Sequence, residues 1–153
     1  MTLGDLIQQS RFTSASQEAV LNVLATASYV TAEINAALAP HGVTHAQYNV
    51  LRILRGRHPE RYACSEVGAR LLDRTPDVTR LLARLEARGL VRRERSEDDR
   101  RRVEVEVTEK GLALLAELDG PVEASLDRLT AHLSDDEMDR LSELLERVRA
   151  DQT

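Results

Sequence analysis

The residues of this chain that could do chemistry are mainly arginines, and they are concentrated in one segment. Residues 74–102 hold ten Arg and six Asp or Glu, a local charge of +4, whereas the remaining 11 basic and 20 acidic residues carry −9. A guanidinium group makes bidentate contacts with phosphates and with base edges. A basic stripe on an acidic protein is typical of a molecule that contacts nucleic acid along one edge.

Few residues of the chain are candidates for other kinds of chemistry. The single cysteine, Cys64, excludes an internal disulfide, and we expect a small apolar role for it rather than redox sensing. The sequence has no Gly-rich phosphate loop, no nucleophile with an ordered base and no metal-ligand spacing, so we predict no enzyme, no metal site and no cofactor. It also has no apolar run of about 20 residues and no secretory signal, which predicts a soluble, cytoplasmic protein without membrane contact.

Two predicted helices, separated by a short break, lie at the start of the arginine-rich segment. The first spans residues 65–72, with Leu72 among its inward side chains. The second begins at Thr75, a good N-cap that Pro76 follows as the first helical residue, and it ends at Gly89 in a left-handed cap. Two helices joined by a tight turn form a helix-turn-helix.

The apolar period then changes from 3.6 residues to 2. Residues 90–95 and 102–107 are predicted to be strands, and in the second strand Val103, Val105 and Val107 alternate with glutamates. The turn between the two strands is the tip of the hairpin, and this tip is rich in arginine. A hairpin of this kind, directly after a helix-turn-helix, is a wing.

The other predicted helices are long and amphipathic. One spans residues 16–38, and capping residues begin three more, at Thr44, Thr108 and Ser134. The apolar stripes of the terminal helices exceed what so small a winged core can cover. A second copy of the chain is the natural cover, because two-fold homodimers are the commonest oligomers.

Two stretches of this sequence resemble one known family. The segment LLDRTPDVTRLLARLEARGLVRRERSEDDRRRVEVEVTEKG, residues 71–111, resembles the recognition helix and wing of the MarR family (multiple antibiotic resistance regulators). The segment GVTHAQYNVLRILRG, residues 42–56, resembles the second helix of that family. Both stand in the expected order, and the resemblance covers nearly the whole chain.

The resemblance implies a mainly α fold with a small β-hairpin wing (α+β), a winged helix-turn-helix with N- and C-terminal dimerisation helices. Residues 1–153 would be one domain, with the DNA-binding lobe at 44–111 and dimerisation helices at 1–40 and 112–153. It further implies a homodimeric repressor of transcription that binds a palindromic operator in double-stranded DNA and is released by a small aromatic or phenolic ligand. The alternative is a winged-helix dimer that acts through protein partners or without an effector, although the intact DDRRR tip favours DNA.

Five residues of the predicted recognition helix are candidate DNA contacts. Arg80 could bind guanine O6 and N7 in the major groove, where a recognition helix presents its N-terminal side chains. Thr75 and Thr79 suit phosphate or thymine-methyl contacts, and Arg84, one turn on, suits the DNA backbone. Asp77 could accept a hydrogen bond from cytosine N4, but we favour its structural role as an acid in the first turn of the helix.

The wing supplies a second set of candidates. Arg101 matches the family position that enters the minor groove, and Asp99 would brace the turn or an arginine. Candidate phosphate contacts, which set affinity rather than sequence preference, are Arg93, Arg95, Arg100 and Arg102. One or two of these could instead pair with acidic residues of the hairpin, namely Glu94, Glu97 and Asp98.

The ligand candidates lie on two predicted helices where pockets of the family usually occur. They are Tyr29 and Glu33 on the first long helix, with His45, Tyr48 and Arg52 on the next. An arginine and a tyrosine beside an apolar cleft would suit a phenolic acid, because the arginine can bind its carboxylate. Residues of these types at such places are more often dimer-interface or core residues than ligand contacts, and for each of the five we favour that interpretation.

Overall fold

The secondary structure is a series of helices interrupted by one small sheet. The computed structural model describes residues 2–9, 11–72, 77–96 and 102–150. Its α-helices are α1 (Leu3–Ile7), α2 (Ala15–Leu38), α3 (His45–Arg55), α4 (Cys64–Arg70), α5 (Val78–Ala87), α6 (Glu109–Thr130) and α7 (Asp135–Arg149). Its strands are β1 (Tyr62–Ala63), β2 (Val91–Arg95) and β3 (Val103–Val107). A single 3-10 turn, Ala39–His41, follows α2.

The helix starts predicted from capping residues at Thr44, Thr108 and Ser134 are confirmed. The Thr44 hydroxyl accepts a hydrogen bond from the backbone N–H of Gln47, whose side chain accepts one from the Thr44 N–H in return. Ser134 and Glu137 form the same reciprocal pair at the start of α7, and Thr108 caps α6. Each cap satisfies backbone N–H groups that the first helical turn leaves unpaired.

Two expectations about the helix-turn-helix are wrong. Helix α5 begins at Val78, with Asp77 rather than Thr75 as its N-cap, because an Asp77 carboxylate oxygen accepts a hydrogen bond 3.1 Å long from the Arg80 N–H. Thr75 and Pro76 themselves lie outside the described residues. Leu72 is 81% exposed rather than inward, because α4 ends at Arg70 and the chain continues in an extended conformation.

The sheet is antiparallel, with strand order β1-β3-β2. The β2–β3 hairpin is confirmed, and its register pairs Val91 with Val107 and Arg95 with Val103. Strand β1 was not predicted, since two residues are too few to show a period. It pairs with β3 and so attaches the start of α4 to the base of the wing.

The apolar core lies where α2, α3 and α6 meet the helix-turn-helix and the sheet. The largest fully buried side chains are leucines, which come from α2, α3, α5, α6 and the turn after α5: Leu38, Leu51, Leu54, Leu82, Leu85, Leu90, Leu115 and Leu118. Burying a leucine contributes roughly 1.5–3 kcal/mol. Helix α5 therefore packs against one continuous core that α2 and α6 share with α3 and the sheet.

The terminal helices leave much of their apolar surface exposed, as expected. The described part of α7 has no buried residue. Exposed large apolar side chains on α2, α6, α7 and the segments beside them are Val20, Val23, Leu24, Leu126, Leu133, Leu141, Leu144 and Val148. No helix in the described ranges is long and apolar enough to cross a membrane.

Gly111 is the position where we expect a single methyl group to damage the fold. A Cβ atom there would lie 2.3 Å from the Leu90 carbonyl oxygen and 2.7 Å from a Val107 methyl, two groups that belong to the backbone and core beside α6. We predict that Gly111→Ala lowers the free energy of unfolding by about 1–3 kcal/mol, the usual cost of overpacking. Urea unfolding at fixed protein concentration measures it.

Gly120 provides the matched control, because it lies in the same helix and a Cβ there would meet nothing within 4 Å. Gly120→Ala should change the free energy of unfolding by less than about 0.5 kcal/mol, because the gain in helix propensity is opposed by the Pro121 ring, which crowds the Cβ of the preceding residue. Equal stability of the two variants would show that the close approach of α6 to Leu90 is not as described.

Candidate nucleic-acid interface

The outward side of α5 carries the residues expected to contact DNA. Its other side is buried through Leu81, Leu82 and Leu85, so Thr79, Arg80 and Arg84 are left exposed. Among the described residues, neither the Arg80 nor the Arg84 guanidinium has a hydrogen-bond or ion-pair partner. Two unpaired arginines on adjacent turns of one exposed helix face are available to an anionic partner.

Asp77 lies at the N-terminal end of the same helix and has a structural task there. Its carboxylate caps α5 by accepting from the Arg80 N–H. This agrees with the structural interpretation of Asp77, although the residue is the N-cap rather than a member of the first turn. The cap fixes the end of the helix that carries Arg80.

Arg93, expected to contact phosphate, is bound to α5 instead. Its guanidinium lies 2.5 Å from a Glu86 carboxylate oxygen, and its backbone N–H donates to the other oxygen of that carboxylate at 3.1 Å. The side-chain hydrogen bond from Arg93 is the main reason why the pKa of Glu86 lies below its ordinary value. This ion pair attaches the recognition helix to the first strand of the wing.

Arg102 is paired in a similar way, directly before the second wing strand and at the end nearest the tip. It donates to Glu66 of α4 at 3.1 Å, and the same Glu66 carboxylate accepts from the backbone N–H of Ala63 at 2.8 Å. The backbone hydrogen bond from Ala63, together with the charge of Arg102, lowers the pKa of Glu66. Half of the Arg102 side chain remains exposed, so this pair is weaker than a buried one.

Of the four remaining candidate residues of the wing, the structure describes one, Arg95, and does not describe the other three. Arg95 is exposed and has no partner within the described part of the chain. Asp99, Arg100 and Arg101 lie outside the described residues. The expected partners of the wing arginines were acids of the hairpin, whereas the observed partners of Arg93 and Arg102 come from the helix-turn-helix.

A four-residue ion-pair cluster on the hairpin was missed by the sequence analysis. Arg61 lies 2.7 Å from Glu94 and 3.0 Å from Glu106, and Arg92 pairs with the same two carboxylates. Partial burial of Glu106 raises its pKa, but the hydrogen bonds from Arg61 and Arg92 outweigh burial and leave the pKa lowered. The alternation of Arg92, Glu94 and Glu106 on one face of the strands was the available signal.

The five ligand candidates do not line a single cleft of this chain. Tyr29 is 60% exposed and lines a cavity of about 420 Å³ between α1 and α2. His45 lines a separate cavity of about 340 Å³, between α2, α3 and the residues that follow α4. Tyr48 is buried in the core with the Arg52 guanidinium 5.9 Å from its ring centroid, and Glu33 is half-buried.

Cys64 and the acidic residues offer no second kind of site in the described ranges. Cys64 is half-buried at the start of α4, and burial raises the pKa of its thiol, which disfavours the reactive thiolate form. No group of three or more His, Cys, Asp or Glu side chains in the described part of the chain is arranged to hold a metal ion.

Known proteins similar to this chain are regulators of transcription. Residues 41–102, which include α3 to β2, match the model of the MarR family. The transcriptional repressor MprA of Escherichia coli (strain K12) is 30% identical over 114 residues, which are 74% of this chain and 65% of that protein.

Two solved structures are similar over most of the chain. The crystal structure of a MarR transcription factor from Planctomyces limnophilus is 40% identical with a TM-score of 0.70, and the match covers 89% of this chain and 98% of that one. A mutant of MarR from Escherichia coli, crystallised with operator DNA, is 29% identical with a TM-score of 0.74. The match covers 82% of this chain and 89% of that one. These relatives are not enzymes, in agreement with the sequence analysis.

The Glu86–Arg93 pair should make stability depend on pH. Because the pKa of Glu86 is lowered in the folded protein, its contribution is present above the ordinary value of 4.5 and is lost as the pH falls through the lower, folded value. We predict that Glu86→Gln reduces the free energy of unfolding by about 0.2–1 kcal/mol at neutral pH. Urea unfolding from neutral pH to about pH 3 should show this deficit disappearing.

The control for this prediction is Glu123→Gln. Glu123 is exposed on α6 and has no ion-pair partner among the residues described. If both variants show the same deficit at every pH, the Glu86–Arg93 pair does not stabilise the wing.

Proposed function

The chain belongs to the MarR family of transcriptional regulators, and from that premise we propose a homodimeric repressor that binds a palindromic DNA operator and leaves it when a small aromatic or phenolic ligand binds. The observation that carries the DNA-binding part is the exposed face of α5, where Arg80 and Arg84 are unpaired in the described structure. The relative MprA is a repressor, and the relative MarR was crystallised in complex with operator DNA.

The proposed DNA contacts are supported by the exposure of side chains on α5 and β2, and for Arg101, which lies outside the described residues, by the family resemblance alone. Helix α5 enters the major groove, where Arg80 reads guanine and Thr79 contacts phosphate or a thymine methyl. Arg84 and Arg95 bind phosphates, since both are exposed and lack partners in the described residues. The wing tip reaches the minor groove through Arg101.

The dimer is proposed from the apolar side chains that one chain leaves exposed. Residues 1–40 and 112–153 form the dimerisation part and residues 44–111 form the winged lobe. Helix α7 supports this division, because its described part buries no side chain within its own chain while it exposes Leu141, Leu144 and Val148. A second copy would cover these apolar side chains and hold two α5 helices at a fixed separation.

The ligand is proposed to bind in the cavity lined by His45. Most of the surface of this cavity of about 340 Å³ is apolar, and a few polar side chains interrupt it, which suits a small aromatic molecule with polar substituents; the polar residues are Thr31, Asn35, Thr44, His45 and Asn49. Leu71 and Leu72 also line it, and they lie between α4 and the recognition helix. A ligand in this position contacts both α2 and the chain that leads into α5, so its binding would shift one relative to the other.

Ligand binding in this cavity can be tested with a panel of hydroxybenzoic acids. We predict that at least one of them releases operator DNA from the wild-type protein. His45→Ala should raise the concentration required by about tenfold or more, while affinity for DNA without ligand stays unchanged. Tyr29→Ala is the control, since Tyr29 lines the other cavity. Loss of the response in Tyr29→Ala and its retention in His45→Ala would place the ligand between α1 and α2 and contradict this proposal.

Base reading by Arg80 can be tested against phosphate binding by Arg84. Arg80→Ala should cost roughly 1–3 kcal/mol on operator DNA and much less on random DNA, because a base contact carries sequence information. Arg84→Ala should weaken both by similar factors and lower the slope of log affinity against log salt concentration by about one. Fluorescence anisotropy with both DNAs measures these effects. Equal loss on operator and random DNA for Arg80→Ala would contradict the base-reading role.

A further inference from the structure

Arg88, which no function above uses, joins the recognition helix to the turn that follows α2. It stands directly after α5, and its guanidinium donates hydrogen bonds to the carbonyl oxygens of Gly42 at 2.7 Å and His41 at 3.0 Å. These two residues lie more than 45 positions earlier in the chain. The contact therefore ties the C-terminal end of α5 to the C-terminal end of the first long helix.

The same residue is also held by α6. The Lys110 ammonium donates to the Arg88 backbone carbonyl at 2.8 Å, in the first turn of α6. The C-terminal end of a helix leaves carbonyl oxygens unpaired and carries partial negative charge. Cations are therefore favourable at the end of α5, where Lys110 binds, and at the end of the turn after α2, where Arg88 binds. Arg88 is thus the point where the ends of α2 and α5 and the start of α6 meet.

Arg88 differs from Arg84, which lies one turn earlier on the same helix. Arg84 is exposed and has no partner in the described residues, whereas Arg88 is half-buried and its two terminal nitrogens are occupied by carbonyl oxygens. A phosphate at Arg88 would have to compete with those two carbonyl oxygens, so we expect no phosphate contact there. Any influence of Arg88 on DNA binding must therefore pass through the position of α5.

We propose that Arg88 is a positioning residue that couples α2 to the recognition helix. This inference rests on the proposed function, because it concerns the helix that reads the operator. Helix α2 carries exposed apolar residues at its start and lines both cavities, so a partner chain or a ligand acts on it directly. Through Arg88, a displacement of the end of α2 moves α5, and with it the exposed face that carries Arg80.

The test compares Arg88→Met with Arg84→Met, which remove a guanidinium from neighbouring turns of one helix. Arg88→Met should bind operator DNA about tenfold more weakly, since two charge-assisted hydrogen bonds no longer hold the helix. Its salt slope should equal that of the wild type, because no phosphate contact is lost, whereas Arg84→Met should lower the slope by about one. Arg88→Lys, which keeps the charge and can reach one carbonyl, should recover part of the affinity.

Hydrogen exchange of the DNA-free protein provides a second readout that does not require an operator. In Arg88→Met, the amides of Gly42 and Leu90 should exchange faster together, since one group holds both segments, while in Arg84→Met both should exchange as in the wild type. Unchanged exchange at Gly42, unchanged operator affinity, or a salt slope lowered by one in Arg88→Met would each overturn the proposal. If the wild type binds no DNA, the repressor function fails, and the exchange result still decides whether Arg88 couples the two segments.

Discussion

The burial of one side of α5 is the constraint on which the rest of the structure depends. Leu82 and Leu85 are fully buried, which fixes the rotation of the helix about its axis. Side chains three and four residues apart lie on the same face of a helix, so burying the leucines determines that Arg80 and Arg84 point away from the core. The position of the face that we propose to read DNA is therefore set by apolar packing within the chain.

The arginines of the segment 74–102 perform two physically different tasks. Those with carboxylate or carbonyl partners, such as Arg93 and Arg88, hold α5 against the wing and against the end of α2. Those without described partners, such as Arg80 and Arg95, keep their hydrogen-bonding capacity for an outside anion. This division explains why the segment is strongly basic although fewer than half of its described arginines lack a side-chain partner.

Local signals made the wing and the starts of α3, α6 and α7 predictable, whereas contacts between distant residues could not be predicted from the sequence. The caps at Thr44 and Ser134 involve residues three positions apart, and the wing alternates with a period of two, so both are visible in the sequence. The partner of Arg93 could not be read in this way, because Glu86 belongs to a different element. The contact of Arg88 with the turn after α2 joins residues about 46 positions apart, for which spacing carries no information.

The central claim, a dimer that reads a palindrome through α5 and the wing, is tested most directly by what DNA the purified protein selects. The protein would be incubated with fragments of its own genome, and the bound pool sequenced. We predict enrichment of a palindrome whose half-sites have centres about one helical turn apart. A pool without any enriched palindrome, obtained with protein refolded from denaturant to remove bound ligand and verified as a folded dimer, would contradict this account.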